Sequence, residues 1–308
     1  MKTYCKKSFL LTFCVLIPFY VFPQRLDEWN PGTKTYTGVV ENKNDIKFIY
    51  GAASNADSII KLSLMTYDLP TVGYSNVVKE EAWNEICHYK NLQGLELIDL
   101  FGNNFPTCIC ELPGLRFLSV RNNRLTNLPG DIVKLKDLEV LNLYWNADLK
   151  DIIGVEKLSR LRYLNLGGNP KLNFKDVFIL LSNLPDLKVL ELNFDQIKKI
   201  PPEIGMLKNL EELIIDNNLM SDLPDEIGKL KNLKRIVLTN NNFSAIPPVL
   251  TKLPNMTEIN LSNTYEEDLD ESLKGEYGHN KISKEQVSTF KKANPKITII
   301  TYDYQYGK

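Results

Sequence analysis

The chain has 308 residues, of which 43% are hydrophobic and 24% charged, and its formal net charge is −1. This composition is typical of a folded globular protein and lies far from the range of disordered chains. The near-zero net charge argues against a general binder of nucleic acid or anionic membrane, because such proteins carry a basic field.

The first 24 residues have the pattern of an export signal. Three lysines precede an apolar run over residues 9–22, which is too short to cross a hydrocarbon core of ~30 Å as an ordinary helix. We therefore predict a secreted, periplasmic or cell-surface protein with no membrane span once residues 1–24 are removed. Small residues are missing around Phe22-Pro23-Gln24, so retention as a signal anchor stays open, and Cys14 leaves lipidation open.

Residues 25–91 are interpreted as an amino-terminal cap. The segment contains a strand over residues 59–64 and a helix over Asn76–Tyr89 that carries apolar residues such as Trp83. A cap is required because the end of a stack of repeats exposes its hydrophobic core.

Three cysteines remain after removal of the signal, namely Cys87, Cys108 and Cys110. An odd number cannot pair completely within one chain. In an exported protein Cys87 would bridge to Cys108 or to Cys110; the alternative is that all three are buried free thiols. A zinc site has little support, because Cys-x-Cys beside His88 lacks the usual ligand spacing.

Residues 92–264 are repetitive. A leucine begins each unit, with spacings of 23, 23, 26, 23, 23 and 23 residues, and an earlier unit, Leu92–Glu111, is interpreted as a shortened repeat of 20. Within a unit, alternating apolar residues predict a short strand with one inward face. A fixed period of this length indicates stacked units that complete one another's core. The leading leucines are Leu112, Leu135, Leu158, Leu184, Leu207, Leu230 and Leu253.

A short polar residue follows each predicted strand. Such side chains hydrogen-bond backbone groups at a bend, and in a stack they would form a polar ladder that satisfies buried N–H and C=O groups. Leaving such groups unpaired would cost about 1–3 kcal/mol each. The predicted ladder consists of Asn103, Asn123, Asn146, Asn169, Asp195, Asn218, Asn241 and Thr264.

With these leucines and asparagines the chain resembles the leucine-rich repeat family, whose pattern is LxxLxxLxLxxNxLxxLP. Segments such as Leu223-Pro224 and Glu226-Ile227-Gly228 are similar to the 23-residue variety. The resemblance implies an α/β-type solenoid: a leucine-rich repeat horseshoe with a parallel concave β-sheet and an irregular or helical convex side. Extra residues after Asn146 and Asn169, and the longer repeat 158–183, are expected to widen convex loops.

Residues 265–308 are interpreted as a carboxyl-terminal cap. The acidic segment 265–271 lacks EF-hand spacing and is interpreted as a solvated loop rather than a calcium site. Ser283 and Gln286 form a capping-box pattern that predicts the start of a helix. Residues 297–300 predict a last strand.

Motifs for catalysis are missing from the sequence. It has no phosphate-binding glycine loop, no Gly-x-Ser-x-Gly elbow and no His-Glu-x-x-His pair. Its two histidines, His88 and His279, both fall in the predicted caps. We therefore expect no enzymatic activity, no cofactor and no metal site.

Three functions remain open. The favoured one is a recognition module whose concave sheet binds a protein, or a glycan, at a cell surface. The second is a structural or adhesive surface component. The third is an intracellular signalling scaffold, because the 23-residue variety resembles Ras-suppressor-type repeats, although the amino-terminal signal argues against it.

The predicted partner-binding surface lies on the concave side of the strands. Alternation along a strand places the residue before an inward leucine on that side, and several of these residues are apolar or aromatic. An apolar stripe on an open face normally marks an interaction site, and Phe101, Tyr144 and Trp145 are expected beside it. The predicted column is Lys61, Leu97, Phe117, Val140, Tyr163, Val189, Glu212, Arg235 and Glu258.

Overall fold

One sheet of twelve strands organises the protein. The computed structural model describes residues 35–42, 45–48, 60–66, 83, 86–100, 105–263 and 278–301. Strands β3 to β12 pair in chain order and all in parallel, β1 pairs in parallel with β3, and β2 is antiparallel to β1 at the end of the sheet. The strands are β1 Thr35–Asn42, β2 Asp45–Phe48, β3 Lys61–Thr66, β4 Gly94–Ile98, β5 Phe117–Arg121, β6 Val140–Asn142, β7 Tyr163–Asn165, β8 Val189–Glu191, β9 Glu212–Ile214, β10 Arg235–Val237, β11 Glu258–Asn260 and β12 Thr298–Ile300.

The convex side consists mainly of short 3₁₀ helices. In five of them, a proline directly precedes the first residue, and its fixed φ suits the entry into a helical turn. The long repeat instead forms an α-helix, α1, over Phe174–Leu181, capped by Asn173. The 3₁₀ helices are Thr107–Glu111, Gly130–Lys134, Val155–Lys157, Pro202–Met206, Asp225–Lys229 and Pro248–Lys252.

The hydrophobic core lies between the sheet and the convex segments. Each short strand directs alternate leucines inward, as Leu213 and Ile215 show, and both are fully buried. No repeat encloses its core alone, so the leucines of neighbouring repeats stack into one cluster that extends from Leu62 to Ile299. The predicted solenoid is confirmed.

The first repeat has a different frame from the predicted one. Gly94 pairs with Phe117, 23 residues later, so Leu92 is equivalent to Leu115 rather than to Leu112. Tyr89, buried at the repeat's first position, takes the place of the leading leucine. The prediction of a shortened repeat of 20 residues was wrong because a tyrosine at that position hid the true start.

The asparagine ladder, the series of asparagines that follow the strands, is the main polar structure inside the solenoid. Nδ2 of Asn218 donates to the carbonyl of Ile215 at 3.3 Å and to that of Leu192, in the preceding repeat, at 2.7 Å. Its Oδ1 accepts from the backbone N–H groups of Asp195 and Ile197. Asn146, Asn169 and Asn241 make equivalent bonds to two carbonyls each.

Both ends of the ladder differ from the prediction. At the amino-terminal end Leu100 occupies the ladder position, since its N–H donates to Oδ1 of Asn123 as Asn146 does to Asn169. At the other end Asn280 donates to the carbonyls of Leu238 and Leu261, making the contacts expected of Thr264. Asn103 and Thr264 themselves lie outside the described residues, as does the acidic segment 265–271.

Asp195 is the one carboxylate in the described ladder. One oxygen accepts from the N–H of Asn169, while Oδ2 is buried without a hydrogen-bond partner. An asparagine here would donate from Nδ2 to two carbonyls, a role that an ionised carboxylate cannot fill. Burial therefore raises the pKa of Asp195 well above its ordinary value, although backbone N–H groups of Asn169 and Gly168 oppose the shift.

A disulfide and a free thiol lie at the amino-terminal end of the repeats. Cys87 forms a disulfide with Cys108, and Cys110 is a buried free thiol whose pKa burial raises to about 12. Trp83, Ile86 and Cys87 have helical conformation, but His88 and Tyr89, the predicted end of this helix, do not; residues 76–82, 84 and 85 lie outside the described part.

The carboxyl-terminal cap packs helix α2, Lys284–Ala293, against the end of the core. Its predicted capping box is present: Ser283 accepts from the N–H of Gln286, whose side chain accepts from the N–H of Ser283. Phe290 is buried, and strand β12 pairs with β11. Within the described ranges, no helix is long and apolar enough to cross a membrane.

We expect Asp195→Asn to stabilise the protein at neutral pH. The amide would supply the missing donor to two buried carbonyls, which is worth about 1–2 kcal/mol. The folded protein favours the protonated carboxyl of Asp195. The free energy of unfolding is therefore largest below the ordinary pKa of this carboxyl, and it falls as the pH rises towards the raised pKa. The gain, measured by chemical denaturation, should therefore grow from pH 4 to pH 7.

The reciprocal change supplies the control. Asn218→Asp removes the donor from a ladder position that now has one, so it should lower the free energy of unfolding, with the larger loss at pH 7. If each substitution changes the free energy of unfolding by the same amount at pH 4 and at pH 7, Asp195 does not have the raised pKa described above.

Candidate partner-binding surface

The predicted concave column is correct in register from Phe117 to Glu258. Phe117, Val140, Tyr163, Val189, Glu212, Arg235 and Glu258 are paired neighbours on successive parallel strands. Leu97 does not belong to it: Gly94 fills that position between Lys61 and Phe117. Leu97 is fully buried in the main core, and its assignment was wrong because of the frame error in the first repeat.

The apolar part of this column is not an open stripe. Phe117, Val140, Tyr163 and Val189 are between 0 and 4% exposed and form a cluster of their own, separate from the main core. Two residues further along each strand lies a second column on the same face, and its polar members beside this cluster, such as Ser119, are also buried. The expectation that Phe117 and Tyr163 are exposed anchors was therefore wrong, and their burial makes them contributors to stability.

The carboxyl-terminal part of the column is charged and internally paired. Nε of Arg235 donates to Glu258 at 2.7 Å, and its guanidinium also pairs with Glu212. Burial raises the pKa of Glu212, and Arg235 opposes that rise. Glu258 is buried, Glu212 and Arg235 are half-buried, and the charges of the three side chains satisfy one another.

Three aromatic side chains lie together where the strands end. The rings of Tyr144 and Trp145 are 5.4 Å apart, and Trp145 meets Phe194 edge-on at 5.9 Å. All three side chains are half-buried. We call Tyr144, Trp145 and Phe194 the aromatic edge; Phe101, expected in the same region, lies outside the described residues.

The backbone under the aromatic edge is strained. The residue directly before each ladder position from Leu100 to Asn241 has a positive φ, which Asn, Asp or Gly adopts at Asp99, Asn122, Gly168, Asn217 and Asn240. Trp145 and Phe194 occupy the same position with φ of 61° and 60°. Bulky residues are rare in this region of φ/ψ space, so both rings are held at a cost in stability, as is common at functional sites.

Two glycines allow the rings to meet across a repeat. A Cβ at Gly168 would lie 2.8 Å from Cε3 of Trp145, and a Cβ at Gly167 would lie 1.8 Å from Oδ1 of Asn193. Trp145 therefore passes over Gly168 towards Phe194, two repeats away. Sequence reasoning found Tyr144 and Trp145 but missed Phe194, whose signal was an aromatic residue at a position that mostly holds Asn, Asp or Gly.

Carboxylates lie near this edge. Burial raises the pKa of Tyr144, and the negative charges of Asp216, Asp195 and Glu191 add to the shift. Burial also raises the pKa of Asp216 to about 6. No group of three or more His, Cys, Asp or Glu side chains suited to a metal ion occurs in the part of the chain that the structure describes.

Family models agree with this architecture. The model described as a leucine-rich repeat region matches residues 156–275, and a second leucine-rich repeat model matches residues 112–170. The chain belongs to the leucine-rich repeat family. Proteins of this family generally bind other proteins through repeats that are themselves non-enzymatic.

Solved and curated proteins are similar to parts of this chain. A leucine-rich repeat protein of Leptospira interrogans is similar with a TM-score of 0.51 and 27% identity, over 79% of this chain and 62% of that one. Human Toll-like receptor 6 is 27% identical over 119 residues, 36% of this chain and 14% of the receptor. An adenylate cyclase of Schizosaccharomyces pombe is 32% identical over 105 residues, 34% of this chain and only 6% of the cyclase. The chain thus spans a small part of these curated relatives, and the similarity gives no ground for a cyclase activity here.

We expect Trp145→Asn to lower the free energy of unfolding less than Tyr144→Asn does. Both changes remove ring contacts worth about 0.5–1.5 kcal/mol and the buried area of a half-buried ring, but asparagine at position 145 accepts the positive φ and relieves strain of about 1–3 kcal/mol. Chemical denaturation measures the change.

Tyr144→Asn is the matched control. It removes ring contacts one residue away without relieving a positive φ, so it should destabilise. If both substitutions destabilise equally, the backbone at Trp145 is not strained.

Proposed function

We propose that the chain is a non-enzymatic recognition module that binds a partner protein through the aromatic edge and the adjoining charged end of the concave column. The observation that carries this proposal is the pair of bulky aromatic residues held at positive φ. Two such residues lower stability without filling the core, which is understandable if they make contacts with a partner. Aromatic residues are also the most frequent anchors of protein interfaces.

The proposed binding surface does not include the apolar part of the concave column. The column of Phe117, Val140, Tyr163 and Val189 is buried, so it supports the sheet from the concave side rather than presenting anchors. Accessible area instead lies at Tyr144, Trp145 and, further along the sheet, Arg235. A partner that covers this area would contact the turn after strand β6 and extend to Arg235, the first residue of strand β10.

We further propose that the protein acts outside the cell or at its surface. The apolar segment 9–22 after three lysines supports export. The disulfide between Cys87 and Cys108 supports an oxidising compartment, since such bonds are rare in reducing ones. Neither the apolar segment nor the disulfide is expected in an intracellular scaffold.

Photo-crosslinking tests the binding surface. The full chain carrying p-benzoylphenylalanine at position 144 is incubated with intact cells, and a second chain carries it at Lys231, on the convex side. We expect a single protein to be captured from position 144 and not from 231. Capture from position 231 alone would overturn the proposal, and many products of equal yield from position 144 would favour an adhesive component.

The captured protein then gives a quantitative test. The double change Tyr144→Ala with Trp145→Asn should weaken its binding about 30-fold or more, equivalent to ~2 kcal/mol. Lys231→Gln should leave binding unchanged. Phe117→Ala should mainly lower the free energy of unfolding, by about 3–5 kcal/mol, because it empties a packed site.

Intact mass after alkylation tests the compartment. We expect the mature chain to begin near Gln24 or Arg25, with one alkylated cysteine before reduction and three after it. A chain that retains Met1 and alkylates all five cysteines without reduction would show that the protein is not exported.

A further inference from the structure

The aromatic edge packs over Gly168, and the side chain of Asn193 lies over Gly167. Tyr144, Gly167, Asn193 and Asp216 each lie two residues beyond the last residues of adjacent strands β6 to β9. Asn193 directly precedes Phe194, and Asp216 follows the next strand, ~4.8 Å further along the sheet; the negative charge of Asp216 acts on Tyr144. Because Gly167 has no side chain, Oδ1 of Asn193 extends over it towards the strand that carries Tyr144.

Both polar side chains next to the rings present oxygen acceptors. Oδ1 of Asn193 is buried and receives no hydrogen bond, which costs about 1–3 kcal/mol in the unbound protein. Asp216 accepts from the neutral amide of Asn217, and among the described residues no lysine or arginine forms a salt bridge with it. A group that brings donors and positive charge would satisfy both side chains at once.

We infer that the aromatic edge receives a cationic side chain of the protein partner, lysine or arginine, with its charged group between the rings and the oxygens of Asn193 and Asp216. This inference rests on the proposed function and names the chemistry of the contact. The faces of Trp145 and Tyr144 attract a cation through their quadrupoles. The carboxylate of Asp216 adds a charge-assisted hydrogen bond.

Two other ligand classes fit these groups less well. An acidic side chain would be repelled by Asp216 and by the nearby carboxylate of Glu191. A sugar could stack on the rings, but its hydroxyl groups need acceptors and donors alike, whereas the unsatisfied atom here, Oδ1 of Asn193, is an acceptor.

Fluorine NMR of the full chain labelled with 5-fluorotryptophan tests the inference. The three tryptophans give separate signals, and the signal lost in Trp145→Phe identifies Trp145. The probes are blocked pentapeptides Gly-Gly-X-Gly-Gly with X as lysine, arginine, norleucine or glutamate. We expect lysine or arginine peptides to shift the Trp145 signal saturably, and norleucine and glutamate peptides to leave it unchanged.

Asp216→Asn should weaken the binding of the cationic peptide at least tenfold while leaving the free energy of unfolding nearly unchanged. Asp225→Asn, on an exposed convex helix, is the matched control and should have no effect. Equal shifts with the norleucine peptide, no shift with any peptide, or undiminished binding by Asp216→Asn would each overturn the inference. Crosslinking from position 144 would still uphold the proposed function in those cases, whereas its failure would remove the function itself.

Discussion

The hydrogen bonds of the asparagine ladder are the interaction on which the rest of this structure depends. Each strand is only three to five residues long in the repeats, so the chain must bend soon after it, inside a densely packed protein. The bend exposes carbonyls that no strand can pair. An amide that bonds its own repeat and the preceding one satisfies these carbonyls and fixes the distance between repeats.

The ladder also determines where the proposed binding surface lies. To turn its amide inward, each ladder residue from Asn123 to Asn241 follows a residue with positive φ, whose side chain points outward at the end of the strand. In most repeats that residue is Asn, Asp or Gly and contributes little surface. At Trp145 and Phe194 the same geometry presents an aromatic ring, so a structural constraint of the turn places the proposed partner contacts on a rigid support.

Stability is lower where function is proposed. Asp195 replaces the amide of the ladder directly after Phe194, and Oδ2 of Asp195 remains unpaired. The positive φ of Trp145 and Phe194 and the unpaired Oδ1 of Asn193 occur within the same three repeats. The flanking repeats, with Asn218 and Asn241 in the ladder and Asn217 and Asn240 before it, have none of these features. Such local deviations from a regular pattern are expected at functional sites.

The sequence by itself determined the period, the solenoid, the inward leucines, the ladder from Asn123 to Asn241 and the capping box at Ser283. Each of these features is either local in sequence or recurs once in every repeat, so its position in one repeat predicts its position in the next. It also placed Tyr144 and Trp145 beside the concave face. It failed at the first repeat, where Tyr89 replaced a leucine, and at the last ladder position, because the distance from Asn241 to Asn280 follows no period.

Only the tertiary structure decided which concave residues remain accessible and which cysteines pair. Burial depends on what neighbouring strands place around a side chain, and Phe117 and Tyr163 are enclosed by columns whose spacing appears only in the folded sheet. The meeting of Trp145 with Phe194 required Gly167 and Gly168 to be stacked between them. Pairing of Cys87 with Cys108 rather than Cys110 likewise depends on side-chain direction, since Cys110 turns into the core two residues later along the same 3₁₀ helix.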